Sequence, residues 1–291
     1  MSPTRHEAET LALRLPPLQV AAERVAATVA QGVHGRRRVG TGNSFWQFRA
    51  YMPGDPAAGI DWRQTAKSDR AYVRENEWEA AQSVWLWADR SPSMDWRSSR
   101  GLPTKAERAL LLLLAAASLM VRGGEHVALL GGFRPATGQA VLDRLALELG
   151  RAPSEDGLPQ LQPLPRHAVL LMIGDLLSPL DEIARVVSFY AARGVAGHLV
   201  QVLDPAEETL PFDGRVRFEG LEREGTALVD RVDAVRGFYQ DRLAEHRAGL
   251  ADLARRSGWS FAAHRTDRPP HAALLSLYGV MTARGGEAAR C

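Results

Sequence analysis

Apolar positions along this chain follow two alternating periods. Val84-Trp85-Leu86-Trp87-Ala88, His126-Val127-Ala128-Leu129-Leu130, Ala168 to Ile173 and Ala196 to Leu203 are almost continuously apolar, as strands buried on both faces of a sheet are. Between them, Arg108 to Val121, Ala140 to Leu149, Pro179 to Ala192 and Asp233 to Arg256 carry apolar residues at helical spacing, and the first follows the capping-box pattern Thr104-Lys105-Ala106-Glu107. Two short alternating runs around Gly220, from Arg215 to Val229, predict a hairpin. A last strand over Trp259 to Ala263 precedes Pro269-Pro270 and a terminal helix to about Met281. Strands alternating with helices predict an α/β fold, a doubly wound, mostly parallel sheet with helices on both faces.

The first part of the chain breaks this rhythm. Glu7 to about Gln31 is helical in pattern, interrupted at Pro16-Pro17, and reads as a docking arm. Gly35-Arg36-Arg37-Arg38-Val39-Gly40-Thr41-Gly42 reads as a basic loop, and Phe45 to Glu79 as a small β-rich insert turning at Pro53-Gly54. In Tyr72 to Glu79, period two puts Glu75, Glu77 and Glu79 on one face and Arg74, Asn76 and Trp78 on the other. Arg49, Arg63, Lys67 and Arg70 are candidate partners for those carboxylates. A self-satisfied ion network and a surface for a basic partner both fit. The organisation expected is residues 1–80 as an arm and insert, and residues 81–291 as the α/β domain.

Composition narrows the class. Of 291 residues, 45% are hydrophobic and 24% charged, which is ordinary for a globular protein. A formal charge of +2, from 36 basic and 34 acidic residues, provides no global field for gripping nucleic acid. The lone cysteine, Cys291, excludes an internal disulfide framework. No apolar run approaches the roughly 18 residues of a membrane span, so a cytoplasmic protein without a membrane span is expected.

The chemistry concentrates where the Val84 run stops, at Asp89-Arg90-Ser91-Pro92-Ser93. In open α/β sheets ligands sit beyond the carboxyl ends of the strands, which is where Asp89, Ser91 and Ser93 fall. One carboxylate with two hydroxyls suits a hard cation such as Mg²⁺ or Mn²⁺; the same residues also suit an ordinary helix N-cap. The Ala168 run ends in a second carboxylate, Asp175, which lies beside Asp89 if the two strands are neighbours. Other chemistries lack their residues: there is no P-loop, no G-x-S-x-G elbow and no H-x-x-x-H pair. A phosphate-ester hydrolase using Asp89 with Mg²⁺ is the enzymatic alternative, although Ser91 stands where a general acid is wanted. His167 and His198, each opening an apolar run, read as structural residues.

Two patterns carry a resemblance. The D-x-S-x-S strand end resembles the metal-ion-dependent adhesion site of von Willebrand factor A domains. The ordered series Gly35-Arg36-Arg37-Arg38, Gly40-x-Gly42-x-x-Phe45, Arg49-x-Tyr51-x-x-Gly54-Asp55, Ile60-Asp61-Trp62, Lys67 and Val73-Arg74-Glu75-x-Glu77 resembles the signature of DUF58 proteins. That resemblance implies a von Willebrand factor A-like fold, in a family with no established catalytic activity. It implies as partners a MoxR-type AAA+ ATPase and other von Willebrand factor A-like proteins. For the metal it implies Asp89, Ser91 and Ser93, an aspartate from a later strand, matched by Asp175, and a loop threonine, for which Thr137 is the candidate. The expected function is a non-enzymatic, divalent-metal-dependent protein-interaction module. Many DUF58 proteins carry two transmembrane helices before this region; this sequence shows none.

Overall fold

The apolar runs become strands and the helical-period segments helices in the computed structural model, which describes residues 20–30, 45–50, 65, 72–76, 83–150, 156–222 and 225–288. In chain order these are helix α1 (20–30) and strands β1 (Phe45–Ala50), β2 (Tyr72–Asn76) and β3 (Ser83–Ala88). Next come α2 (Lys105–Arg122), β4 (His126–Leu129), α3 (Gln139–Leu149), β5 (Val169–Gly174), α4 (Leu180–Ala191) and β6 (Ala196–Leu203). They are followed by α5 (Pro205–Thr209), β7 (Val216–Glu219), β8 (Thr226–Val229), α6 (Val232–Arg256), β9 (Ser260–Arg265) and α7 (Pro270–Ala288).

Five strands form one all-parallel sheet in the order β4-β3-β5-β6-β9. Counted within the sheet this is the order 2-1-3-4-5, in which the chain winds outward in both directions from the gap between β3 and β5. Alternation along the strands feeds two cores. Val84, Leu86, Ala88, Leu171 and Ile173 join α1, α2, α3 and α7 on one face. Leu170, Met172 and Leu199 join α4 and α6 on the other, with Trp85 and Trp87 half-buried against them. Such a two-sided sheet explains why its strands read as unbroken apolar runs. His198 is buried, with its ring 2.6 Å from the Ser260 hydroxyl, a satisfied structural residue.

The helix ends follow local chemistry. Thr104 accepts from the Glu107 N–H at 3.1 Å while the Glu107 carboxylate accepts from the Thr104 N–H at 2.9 Å, so the capping box is complete and orients α2. The short α5 was not legible as a helix. Its cap is Asp204, which accepts from the Ala206 N–H, while Glu207 accepts from the Asp204 N–H.

The chain divides into two units, Met1–Arg36 with Gln82–Cys291, and Arg37–Ala81. The expected arm therefore does not group with the insert: α1 buries Ala22, Ala26 and Val29 in the α/β core, and Glu23 bonds Ser118 and Arg122 on α2. The smaller unit contains the antiparallel pair β1–β2, in which Arg49 stands opposite Val73, Phe48 opposite Arg74 and Gln47 opposite Glu75, with an irregularity between Phe45 and Gln47. Arg36, Arg37, Arg38, Tyr51, Gly54, Asp55, Asp61, Trp62 and Glu77 lie outside the described residues. Among the described residues no helix is long and apolar enough to cross a membrane.

Candidate functional site

The parallel pairing of β3 with β5 puts Ala88 opposite Ile173, and one residue later the Asp89 N–H still donates to the Ile173 carbonyl at 2.8 Å. Asp89 and Asp175 thus emerge side by side at the point where the winding direction changes, the crevice in which open α/β sheets take ligands. Gly174 permits that approach, since a β-carbon there would lie 2.7 Å from the Asp89 β-carbon.

After Asp89 the chain makes a tight turn held by its own carboxylate: Oδ1 accepts from the Ser91 N–H at 2.9 Å. A 3-10 turn over Pro92–Met94 then returns Ser93 to the crevice. The Ser91 and Ser93 hydroxyls are 3.1 Å apart, and Ser93 donates to Asp175 Oδ2 at 2.9 Å across a sequence gap of 82 residues. Asp175 is fixed in turn. Its Oδ1 accepts from the Leu177 N–H at 3.3 Å, and its carbonyl accepts from the buried Gln201 amide at 2.9 Å. Leu176 between them takes the left-handed conformation at φ 49° although it is a buried leucine, with the His246 ring donating to its carbonyl at 2.7 Å. A non-glycine residue held there costs on the order of 1 kcal/mol.

Four of the five expected metal residues, Asp89, Ser91, Ser93 and Asp175, come together. Thr137 does not. The adjacent Ala136 bridges Val127, which pairs with Val84 near the start of β3, so Thr137 sits exposed toward the opposite end of the sheet. Loop register is not encoded in any local pattern, and that expectation is corrected here. The loop that does approach is the one before β5: a β-carbon on Gly157 would lie 3.8 Å from both Asp89 Oδ2 and the Ser91 hydroxyl.

Three charged residues escaped the sequence reading. Lys105, the first residue of α2, is 1% exposed, and its ammonium donates to Asp175 Oδ2 at 2.9 Å and to Glu207 at 2.6 Å. A lysine at a helix N-terminus opposes the macrodipole, and only the carboxylates make it tenable. Burial alone would lower its pKa, but Asp175 and Glu207 outweigh burial and hold it above the ordinary lysine value. Glu207 is itself pushed up by burial against the pull of Lys105. Glu222, at the tip of the β7–β8 hairpin, accepts from the Ser93 N–H at 3.1 Å. A lysine or a glutamate in a first helical turn, and a glutamate in a hairpin turn, ordinarily read as solvent-facing, so only the tertiary fold reveals them.

The electrostatic outcome falls on Asp89. Burial, then the Asp175 carboxylate, and to a lesser extent Glu222, push its pKa up to about 7, against the opposing bonds from Ser91. The Lys105 ammonium is held by two carboxylates, Asp175 and Glu207, while Asp89 feels the negative charge of Asp175 and Glu222. The oxygen spacing fits a small hard cation: adjacent ligands about 2.1 Å from an octahedral Mg²⁺ stand about 3 Å apart. The hydroxyl-to-hydroxyl and hydroxyl-to-carboxylate distances of 3.1 and 2.9 Å match that spacing. Among the described residues no cluster of three or more histidine, cysteine, aspartate or glutamate side chains is placed to hold a metal by itself. Any cation taken up here would need the serine hydroxyls as well as the two aspartates, a donor set that suits Mg²⁺ or Mn²⁺ better than softer ions.

Comparison with known proteins places this arrangement in context. The chain is 26% identical over 281 residues, 89% of its length, to the uncharacterized protein Mb1516 of Mycobacterium bovis and the uncharacterized protein Rv1480 of Mycobacterium tuberculosis, covering 86% of each. It is similar to the crystal structure of the conserved hypothetical protein BatB from Bacteroides thetaiotaomicron, with a TM-score of 0.40 and 13% identity over 70% of this chain and 100% of that one. An aerotolerance-related membrane protein from Bacteroides fragilis is similar to the same degree, with a TM-score of 0.40 and 14% identity over 68% of this chain and 98% of that one. The family model described as protein of unknown function DUF58 matches residues 47–249, which include β3, β5, Asp89, Asp175 and Glu222. The match spans well over half the chain, and the protein belongs to the DUF58 family.

Proposed function

We propose that this protein is a non-enzymatic interaction module of von Willebrand factor A type, in which a divalent cation held by Asp89, Ser91, Ser93 and Asp175 takes its remaining ligand from a partner protein. The observation that carries the reading is the convergence of oxygen-bearing side chains at the sheet's switch point, where the Ser91 and Ser93 hydroxyls stand 3.1 Å apart, Ser93 and Asp175 2.9 Å apart, and Asp89 emerges beside them from the neighbouring strand end. When bound, the cation supplies positive charge and open coordination positions. The chain's own residues hold the oxygens in place, the Ser91 N–H and the β3–β5 pairing fixing Asp89 and Gln201 fixing the backbone at Asp175. A partner such as a MoxR-type AAA+ ATPase, or another von Willebrand factor A-like protein, offering a surface carboxylate would complete the shell. Movement of that partner would withdraw it, making the coordination bond a reversible latch.

The hydrolase alternative draws less support. Asp89 is 1% exposed with one oxygen already committed to the Ser91 N–H, and a carboxyl pushed up to about 7 is a poor nucleophile at neutral pH.

The test is thermal unfolding with EDTA or Mg²⁺. At ~1 mM metal and a dissociation constant near ~10 μM the folded state gains about 2.7 kcal/mol, read as a rise in melting temperature of several degrees. Asp89→Ala should fold and lose that rise. Identical curves for the wild type with and without Mg²⁺, or a full rise in the variant, would overturn the metal reading. Binding to the purified partner ATPase, compared between wild type and Asp89→Ala at constant Mg²⁺, then tests the adaptor role; equal binding removes the metal site from it.

A further inference from the structure

We propose that a second site, the cleft between α2, α7 and the ends of β6 and β9, takes a small molecule with an apolar body and one carboxylate, the carboxylate being met by His264, Arg268 and the first turn of α7. It is independent of the metal reading.

The cleft has a volume of about 540 Å³, within the range of small-molecule sites. Its walls are apolar and come from separate elements, with Leu112 on α2, Val200 on β6 and Leu277 on α7. Small residues hold it open, Ala262 on β9 and Ala272 and Ala273 on α7, in an interior that is otherwise close-packed. Arg268 and Pro269 line it and are exposed, so it reaches solvent.

The polar groups of the cleft select an anion. His264 lines it while only 6% exposed, and its ring Nε2 stands 3.5 Å from the Arg108 guanidinium of α2. A guanidinium only donates, so Nε2 is the accepting nitrogen and the ring proton sits on Nδ1. Burial, then Arg108, lower the His264 pKa to about 4 and keep that ring neutral. Its Nδ1–H has no acceptor among the described residues. Glu208, the carboxylate in the wall, is already held by Arg247 and Arg265, and Arg265 by Asp267 as well. Arg268 is left over. Its backbone is fixed on both sides, the N–H donating to the Arg265 carbonyl at 2.9 Å and its carbonyl accepting from Arg108 at 2.8 Å. Its guanidinium forms no ion pair among the described residues; Asp267 feels its charge but bonds Arg265 instead.

Helix α7 begins at Pro270 beside the same cleft, and Ala272 and Ala273 put its first turn in the wall. The N–H groups of a first turn lack intrahelical acceptors and favour an anion. A purely apolar occupant would leave those groups, the His264 N–H and Arg268 unanswered. A polyphosphate would bring more charge than one free arginine balances. A single carboxylate on a hydrocarbon body satisfies both the donors and the apolar walls.

The experiment is a calorimetric titration of the full chain with decanoate, kept below its micelle concentration, and with 1-decanol as the uncharged probe. Wild type is compared with Arg268→Gln and Ala272→Leu, the folding of each being checked by thermal unfolding. The expected result is one decanoate site in the wild type and at least tenfold weaker binding in Arg268→Gln, about 1.4 kcal/mol. Decanol should bind weakly, and equally to both. Ala272→Leu narrows the cleft and should weaken both probes. Backbone amide shifts caused by decanoate should cluster within residues 262–277. No decanoate binding by the wild type, wild-type affinity in both variants, or shifts confined to another face would overturn the site. Decanol binding as tightly as decanoate, with decanoate affinity unaltered in Arg268→Gln, would overturn the carboxylate assignment.

Discussion

Asp89 concentrates the electrostatic cost of the site, and that cost is measurable through pH. Its folded-state pKa, about 7, lies above the 3.8 of an unperturbed aspartate, so between those values the native state binds more protons than the unfolded chain. Stability in EDTA therefore falls as pH rises through this window, by an amount on the order of 4 kcal/mol. His264 works the other way. Burial, then the Arg108 guanidinium, lower its pKa from 6.5 to about 4, so the unfolded chain binds the extra proton and stability rises over that range. The two trends oppose each other, so the wild-type profile alone does not isolate either. Asp89→Asn isolates the first: without metal it should exceed wild type by a few kcal/mol at pH 8 and converge with it near pH 4. Urea titrations in EDTA at several pH values decide this, since a pH-independent difference would mean that Asp89 is not the titrating group. At this scale Asp89, Ser91, Ser93 and Asp175 were legible because strand ends are where open sheets place chemistry. Lys105 was not, because a lysine opening a helix carries no local sign of burial, and the partners that bury it lie 70 and 102 residues away.

Strands and helices were the most legible level. The two periods of the apolar pattern mark every strand of the main sheet, and the Thr104–Glu107 spacing marks the N-cap of α2, whose apolar run from Arg108 begins three residues after the helix does. Hidden from that reading were contacts that require the absence of a side chain. Gly174 and Gly197 sit at strand positions where glycine weakens an isolated strand, yet a β-carbon at Gly197 would fall 2.2 Å from the Trp259 ring and one at Gly174 2.7 Å from the Asp89 β-carbon. Gly174→Ala should force the β3 and β5 ends apart, destabilise the fold by about 1 to 3 kcal/mol, and abolish the Mg²⁺-induced rise in melting temperature. Chemical denaturation with and without metal separates the two effects. A destabilised variant that still gains a full rise would show that the spacing of the strand ends does not matter to the ion.

For the whole molecule, the α/β class and the location of the crevice followed from the order of elements, whereas the allegiance of the N-terminal helix did not. The helical segment interrupted at Pro16-Pro17 read as a docking arm and was grouped with the β-rich insert as residues 1–80. Instead α1 shares a core with α2, through Ala22, Ala26 and Val29, because small residues at helical spacing let it lie close to an apolar neighbour. Which unit a helix joins depends on a complementary surface far along the chain, and no local pattern records it.

The 2-1-3-4-5 winding also sets when the crevice comes into being. During synthesis β3 emerges with Asp89, Ser91 and Ser93, but the strand that brings Asp175 alongside is made only after α2, β4 and α3, and Glu222 follows later still. Parallel pairing across such separations is late and slow in folding. On the proposed metal reading, ion uptake is thereby confined to chains in which both strand ends are in place, and nascent or half-folded chains lack it. In refolding experiments the ability to take up Mn²⁺ should appear with the slowest phase, after helix signals have recovered, and a fragment ending before β5 should take up none.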